Sequence, residues 1–183
     1  MPESNNDFDL VKDFTNGNES AFNNIVLKYQ HKIYWHARRM AGNHLDADEI
    51  VQEVLLVMYS KLKDFKFQSS LYTWIYRVTT TRSINFIKRR RLKEAFSIED
   101  HQDIAVRKDE DIIRNIETKE KLSKVEKYLN KLPPKQKEVF ILKNYEQMTY
   151  EEISEITGKS IGGLKSNYFQ AMKKLMEMVK KDE

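Results

Sequence analysis

The chain has few places at which its backbone can turn sharply: five glycines and three prolines in 183 residues. An all-β design needs a turn roughly every ten positions, so this scarcity argues against sandwiches and barrels and favours helices. The hydrophobic spacing agrees. Phe22, Ile25, Val26, Tyr29, Ile33, Ala37 and Met40 recur at helical intervals, predicting a long amphipathic helix that stops at Gly42-Asn43. A shorter helix over about 8–14 precedes it and ends at Asn16-Gly17-Asn18. Asp46-Ala-Asp-Glu49 reads as a capping box for a helix through about Lys63, burying Ile50, Val54, Leu55, Met58 and Leu62.

After a loop at 65–69, Ser70 caps a helix that runs into Arg89-Arg90-Arg91. Thr79-Thr80-Thr81 has poor helix propensity, so this helix needs tertiary support. Periodicity fades over about 95–108 and resumes from about 109 to 132. Pro133-Pro134 then breaks the chain and opens a helix over 135–144, followed by helices over about 150–156 and 161–179. No strand is expected. The predicted fold class is all-α, with two small helical domains at 1–93 and 120–183 joined by a flexible acidic linker over 94–119.

Charge is distributed in blocks. Lys66 to Lys93 carries eight Lys or Arg and no acid, Glu94 to Lys121 nine acids against five bases, and Lys159 to Lys181 six Lys against Glu177 alone. Two basic blocks on an acidic divider suggest two modules that bind polyanions. The chain has no Cys, which removes disulfides, thiolate catalysis and most structural zinc sites. The acidic, polar N-terminus is not expected to be a signal peptide, and no apolar run approaches membrane-spanning length. A cytoplasmic protein without membrane partners is the expectation.

The C-terminal block reads as a DNA-binding helix-turn-helix. Thr149-Tyr-Glu-Glu152 forms a capping box for a short helix with Ile153 and Ile156 inside. Gly158 supplies the left-handed turn, Ser160 caps the next helix, and Leu164 faces back toward Ile153. That second helix presents Lys165, Ser166, Asn167 and Gln170 early, with Lys173 and Lys174 further along. Such side chains contact phosphates and base edges. A plain helical hairpin with a solvated lysine face would explain the lysines but not the cap, turn glycine and apolar anchor together.

The central block combines basic and aromatic residues: Phe67, Tyr72, Trp74, Tyr76, Arg77, Arg82, Asn85, Lys88, Arg89, Arg90 and Arg91. Rings offer stacking platforms of roughly 1–3 kcal/mol per base while arginines follow phosphates. Ser69 and Thr73 share a helix face, and the 65–69 loop is placed to pocket an unstacked base. Part of Trp74 belongs to an apolar stripe with Leu71, Ile75 and Val78, so some of this aromatic surface serves packing.

Asp46, Asp48, Glu49 and Glu53 raise the possibility of a carboxylate metal site and a nuclease. Helix capping accounts for Asp46 and Glu49, and no Lys or His stands at a catalytic spacing beside them. The four histidines lack ligand spacing. Neither metal, cofactor nor enzymatic activity is expected; Glu49, Gln52 and Glu53 instead offer an acidic edge to a basic protein partner.

Asp-Ala-Asp-Glu-Ile-Val-Gln-Glu (46–53), Ser-Ser-Leu-Tyr-Thr-Trp-Ile-Tyr-Arg (69–77) and Ile-Asn-Phe-Ile-Lys-Arg-Arg-Arg (84–91) resemble region two of extracytoplasmic-function sigma factors. Leu-Pro-Pro-Lys-Gln-Lys-Glu-Val-Phe (132–140), Thr-Tyr-Glu-Glu-Ile-Ser (149–154) and Leu-Lys-Ser (164–166) resemble their region four. These are the compact members of the sigma-70 family of bacterial RNA polymerase subunits.

The resemblance implies that Asp48, Glu49, Gln52 and Glu53 dock on the β′ clamp helices of core RNA polymerase, and that the chain also meets the β flap. It implies that Tyr72, Trp74, Tyr76 and Arg77, with the 65–70 loop, melt and hold the minus-ten promoter element. Lys88 to Arg91 would grip the adjoining duplex. Lys165, Ser166, Asn167 and Gln170 would read the minus-thirty-five element, and the acidic linker would follow the RNA-exit path. The implied partners are core polymerase and promoter DNA, both double-stranded and melted, with an anti-sigma factor or another DNA-targeting factor as a further candidate.

Two departures stand out. Asn167 replaces a usual Arg, and Gly162-Gly163 softens the start of the recognition helix, so autonomous upstream readout is expected to be weak. Thr80-Thr81-Arg82-Ser83 replaces the usual Arg-Asn-Thr-Ala. The competing readings are a stand-alone helix-turn-helix regulator and a helical polymerase-binding protein brought to DNA by another factor.

Overall fold

The structure, a computed structural model, describes residues 4–96 and 126–182. The described residues are helical with no strand. Four helices build the N-terminal module: α1 (Ser4–Thr15), α2 (Glu19–Ala41), α3 (His44–Lys61) and α4 (Leu71–Phe96), with a short 3-10 turn at Leu62–Asp64. The C-terminal module holds α5 (helical residues 126–131), α6 (Pro134–Asn144), α7 (Tyr150–Thr157) and α8 (Ile161–Lys181). The two-module all-α architecture is the one expected. Most of the linker assigned to 94–119 lies outside the described residues; α4 itself continues to Phe96, past the boundary expected at 93.

Local chemistry explains the boundaries. Gly42 ends α2 in the left-handed conformation (φ 93°), its N–H donating to the Arg38 carbonyl. A side chain at Gly42 would have to displace Asn130, because an added Cβ would lie 2.4 Å from Asn130 Oδ1. Asn18 caps α2, and Ser70 caps α4 by accepting from the Thr73 N–H. The start of α3 differs from expectation. Asn43, not Asp46, is the N-cap: its Oδ1 accepts from the Asp46 N–H at 2.9 Å, while its amide donates to the Asp46 carboxylate. Asp46 therefore sits within the first turn, where its charge still favours the helix dipole.

Phe14, Ile25, Tyr29, Ile33, Ile50, Val54, Met58, Leu62, Leu71 and Ile75 form the N-terminal core, each essentially sealed from solvent. Burial of such side chains is worth roughly 1.5–3 kcal/mol each. The threonine-rich segment of α4 obtains the support it lacks intrinsically. Thr79 Oγ1 donates to the Ile75 carbonyl, Ser83 Oγ to the Thr79 carbonyl, and buried Thr80 pairs with the His36 ring at 3.0 Å.

The modules pack against one another. Tyr76 of α4 completes an apolar cluster with Val139, Leu142, Met148, Ile153, Ile156 and Leu164 of the C-terminal module. Met40 and Ile87 meet Ile141 in a second shared cluster.

Candidate nucleic-acid and polymerase interface

Three surfaces carry the candidate residues. The first is the loop between the 3-10 turn and α4. Phe67 adopts a left-handed backbone (φ 54°), which a non-glycine residue holds only when its surroundings enforce it. Its ring rests between Phe8 and Phe65, with centroids 4.7 and 4.8 Å away, yet stays 40% exposed. Beside it opens a cavity of about 400 Å³ lined by Lys61, Phe65, Lys66, Ser69, Trp74 and Arg77 among others. Trp74 is half-buried, its ring 5.5 Å from that of Phe65, so it serves both packing and cavity wall. Asp64 also lines it, so the recess combines aromatic, cationic and carboxylate side chains beside the loop expected to pocket an unstacked base.

Along α4 the candidate residues divide. Tyr72 is half-buried against Tyr76, with ring centroids 4.5 Å apart, and Lys32 lies over its ring. Tyr76 is only 2% exposed. Its hydroxyl donates to Glu146 at 2.6 Å, and burial followed by that carboxylate pushes the phenol well above its ordinary pKa, so it stays a donor. Arg77 is exposed and donates to the Glu155 carbonyl. Arg82 is half-buried, while Asn85, Lys88 and Arg91 face solvent. Arg89 pairs with Glu53 and Arg90 with Asp46.

The acidic edge of α3 is the second surface. Asp48, Glu49 and Gln52 are exposed together, whereas Glu53 is partly covered by its pairing with Arg89. The structure thus joins the last of the candidate docking acids to the basic end of α4.

The third surface is α8. The Thr149 hydroxyl accepts from the Glu152 N–H at 3.2 Å while Glu152 Oε2 accepts from the Thr149 N–H at 2.7 Å, a complete capping box. Gly158 takes the left-handed turn (φ 68°), and Ser160 caps α8 by accepting from the Gly163 N–H. Ile153 and Leu164 meet in the core, as the spacing required. Lys165, Ser166, Gln170 and Lys173 are exposed, and Lys174 half-buried. Asn167 is turned inward: its amide donates to the Gly163 carbonyl at 2.8 Å.

Sequence reasoning missed the polar residues between the modules. Glu146, held on the turn after α6, accepts from Tyr76 and from Arg39 Nη1 at 3.1 Å, with the His36 ring 3.8 Å away. Burial works against its charge, but His36, Tyr76 and Arg39 hold its pKa below the ordinary carboxylate value. Lys137 is buried and donates to the Met40 carbonyl at 2.8 Å and to Asn130 Oδ1 at 2.6 Å. Desolvation, then the charges of Arg90 and Arg38, lower its pKa to about 7, with Arg91 adding to this and Glu126 opposing it. The only sequence signal was one of placement, since Lys137 and Glu138 directly precede the apolar Val139-Phe140-Ile141-Leu142 run. Among the described residues no group of His, Asp or Glu is arranged to hold a metal ion, and no helix is long and apolar enough to cross a membrane.

Comparison with known proteins places both modules. Residues 25–93 match the model of sigma-70 region 2, and residues 122–175 that of sigma-70 region 4. The chain is 29% identical over 181 residues to the ECF RNA polymerase sigma-E factor of Haemophilus influenzae, covering 93% of this chain and 94% of the relative. It is 27% identical over 172 residues to the RNA polymerase sigma-H factor of Pseudomonas aeruginosa, covering 90% and 89%. Its fold is similar to that of CnrH in complex with the cytosolic domain of CnrY (TM-score 0.71, 20% identity, covering 98% and 100%). It is also similar to the sigma factor RpoE in complex with the anti-sigma factor NepR from Bartonella quintana (TM-score 0.68, 23% identity, covering 88% and 98%). With both regions in order and the curated relatives matched along almost their full length, the chain belongs to the sigma-70 family as a sigma factor of the extracytoplasmic-function type.

Proposed function

We infer that this chain is a promoter-specificity subunit that binds core RNA polymerase in the cytoplasm and directs initiation, without catalysing a reaction itself. Asp48, Glu49, Gln52 and Glu53 dock on the β′ clamp helices. Tyr72, Trp74, Tyr76 and Arg77 act with Phe67, Ser69 and the 65–69 cavity on the melted minus-ten strand. Arg82, Asn85 and Lys88 to Arg91 extend that contact along the duplex. Ser160, Lys165, Ser166, Asn167, Gln170, Lys173 and Lys174 form the minus-thirty-five surface, with the β flap as the C-terminal module's site on polymerase. Domain limits of 1–93 and 120–183 around a 94–119 linker fit this division of labour.

The observation that carries the reading is the recess of aromatic and mostly cationic lining at the head of a helix whose residues 71–93 include no acid, on one chain with a lysine-faced helix-turn-helix. Mixing the chain with bacterial core polymerase and a fork-junction DNA library, then sequencing the retained DNA, tests it. Polymerase-dependent enrichment of a two-part motif is expected; a chain that ignores core polymerase would overturn the reading.

A second reading, recruitment by another DNA-bound factor, is favoured by the bond of the Asn167 amide to its own helix and by the low helix propensity of Gly162-Gly163 at the start of α8. Holoenzyme alone should then protect the minus-ten element but not the minus-thirty-five element from nuclease. Strong sequence-specific protection of both would remove this alternative.

A further inference from the structure

The loop at 65–69 is held from outside by α1, a helix that carries none of the candidate DNA or polymerase residues. Asp7 fixes the start of α1 on α2: its carboxylate accepts from the Tyr29 hydroxyl at 2.6 Å and from Lys28 Nζ at 2.9 Å. Val11 and Phe14 then bury in the N-terminal core. Phe8, next to that anchor, stays out of the core. It is 47% exposed, and its ring rests on Phe67, with 4.7 Å between centroids. Ring contacts continue from Phe67 to Phe65 and from Phe65 to Trp74, so four aromatic side chains link α1 to the start of α4. Two large rings left half in water add little to a core; placed between a helix and a loop, they act as a tether.

The backbone shows what the tether holds. Phe67 stands in the left-handed region (φ 54°), where a side chain is strained and glycine is not. Its ring meets α1, while its neighbours Phe65, Lys66, Gln68 and Ser69 line the recess together with Trp74. Phe67 itself is not among the lining residues. A ring outside the recess is not a platform for a base within it.

We propose that Phe67 is a positioning residue and Phe8 its seat: through this pair of rings α1 sets the shape of the 65–69 loop, and so which unstacked base the recess accepts. This deepens the minus-ten reading and rests on it. A flipped base is discriminated by walls that follow its edges closely, so loosening one wall relaxes the choice of base more than it weakens binding. The two roles open to Phe67 differ in their consequences. A stacking platform loses as much with Phe67→Gly as with Phe67→Ala and does not depend on Phe8. In a positioning residue, Phe67→Gly relaxes the left-handed turn, whereas Phe67→Ala keeps the strain without the ring contact that sustains it, so Phe67→Ala is the more damaging.

Holoenzyme assembled from the full-length chain and bacterial core polymerase, given fork-junction DNA randomised over the minus-ten element, reads the difference by sequencing of the retained DNA. Phe8→Ala should lower the preference for the favoured base at one minus-ten position by roughly 10-fold, the size of a single mismatched position, with binding to core polymerase alone unchanged. Phe8→Tyr, which keeps the ring, should retain the wild-type preference. Phe67→Ala should relax the same position further than Phe67→Gly, and adding Phe8→Ala to Phe67→Ala should change nothing more, because the seat then has nothing to hold.

An unaltered base preference in Phe8→Ala would overturn the proposal, as would equal losses in Phe67→Gly and Phe67→Ala or additive effects of Phe8→Ala and Phe67→Ala. So would a Phe8→Ala chain that lost polymerase binding or cooperative melting in step with its preference, which would make Phe8 a general support of the fold. The free chain adds a readout that needs no DNA. The chain has two tryptophans, so Trp35→Phe leaves Trp74, in the wall of the recess, as the one fluorophore of its kind. Phe8→Ala in that background should increase quenching of Trp74 by acrylamide as the loop loosens; unchanged quenching would defeat the tether. Increased quenching in a chain whose wild-type holoenzyme selects no minus-ten sequence would retain the tether and defeat the promoter-subunit reading instead.

Discussion

The two helices assigned to DNA, α4 and α8, reach that role by opposite routes. In α8 the buried side chains Leu164 and Ala171 anchor one face, and the opposite face points to solvent in the form of Lys165, Ser166, Gln170 and Lys173. In α4 burial continues around the helix: Leu71, Ile75 and Phe86 face the N-terminal core, while Tyr76 and Ile87 face the C-terminal module. The first helix is thus presented by its own domain; the second is covered along one side by the other domain. A surface with few competing contacts is available whenever the module is folded, whereas one with internal partners is available only after those partners are displaced.

The sharpest way to break the contrast is to remove the anchor of α8. Leu164→Ala, at a 1% exposed position in the helix-turn-helix core, should cost about 3 kcal/mol and melt the C-terminal module, uncovering Tyr76 as it does so. Differential scanning calorimetry together with Tyr fluorescence would read both events, and an unchanged melt would show that α8 does not depend on that anchor.

Proton concentration should move the modules apart without touching α8. Lys137 binds its proton less tightly when buried (about 7) than at its ordinary value of 10.5. The closed form therefore holds fewer protons than the open one between those values, and its stability rises with pH across that window. The slope approaches a factor of about 10 per pH unit for one proton. Arg38, Arg90 and Arg91 reinforce this sense, and Glu126 opposes it. Glu146 acts in the same direction at acid pH, because its lowered pKa favours closure above the ordinary carboxylate value of 4.5 and loses that contribution as pH falls. With dyes attached at Gln30→Cys and Glu177→Cys, exposed positions on the two modules of a chain that has no cysteine of its own, energy transfer should rise from pH 6 to pH 9, and a flat profile would assign Lys137 no part in the joint.

Gly42→Ala should have a smaller effect concentrated at the seam. The left-handed backbone costs a side chain roughly 1–2 kcal/mol, and the added methyl must displace Asn130, which supports Lys137. The expected result is lower energy transfer with the N-terminal module still folded. Thr149→Ala should be smaller again, about 1 kcal/mol, since it removes one half of the α7 capping box. Chemical denaturation monitored on the C-terminal module measures it.

The same contrast explains what could be read in advance. Helix caps, turn glycines and apolar spacing act over a few residues, so the sequence announces Gly42, Gly158, Ser160 and the Thr149–Glu152 box directly. Leu164 opposite Ile153 follows from the same short-range logic. The seam obeys no such rule: Glu146 meets Tyr76 across 70 positions, and Lys137 meets Met40 across 97. Lys137 resembles any solvated lysine until the fold places it beneath α2. Tyr76 was legible as an aromatic in a basic helix, and its chemistry fitted base stacking; that it is covered depends on a domain more than fifty residues away. The start of α3 differs by three residues from expectation because Asn43 and Asp46 are both good capping types, and it is Asn43 that takes the extended backbone and accepts from the Asp46 N–H.

The ion pairs between α3 and α4 bear on how salt should influence DNA binding. Arg89 and Arg90 already hold carboxylates, Glu53 and Asp46, where other basic residues on a protein surface would hold dissolved anions. When DNA phosphates approach, these two arginines exchange one covalently tethered anion for another, so the protein side releases few anions while the cations condensed on the DNA are still released. The dependence of affinity on salt concentration should then be slightly shallower than for arginines that hold dissolved anions, by the anion release these two do not contribute. On the proposed docking of Glu53 to polymerase, the vacated Arg89 would become the stronger phosphate ligand, so the chain's own acids would act as a built-in counterion atmosphere that its protein partner strips away.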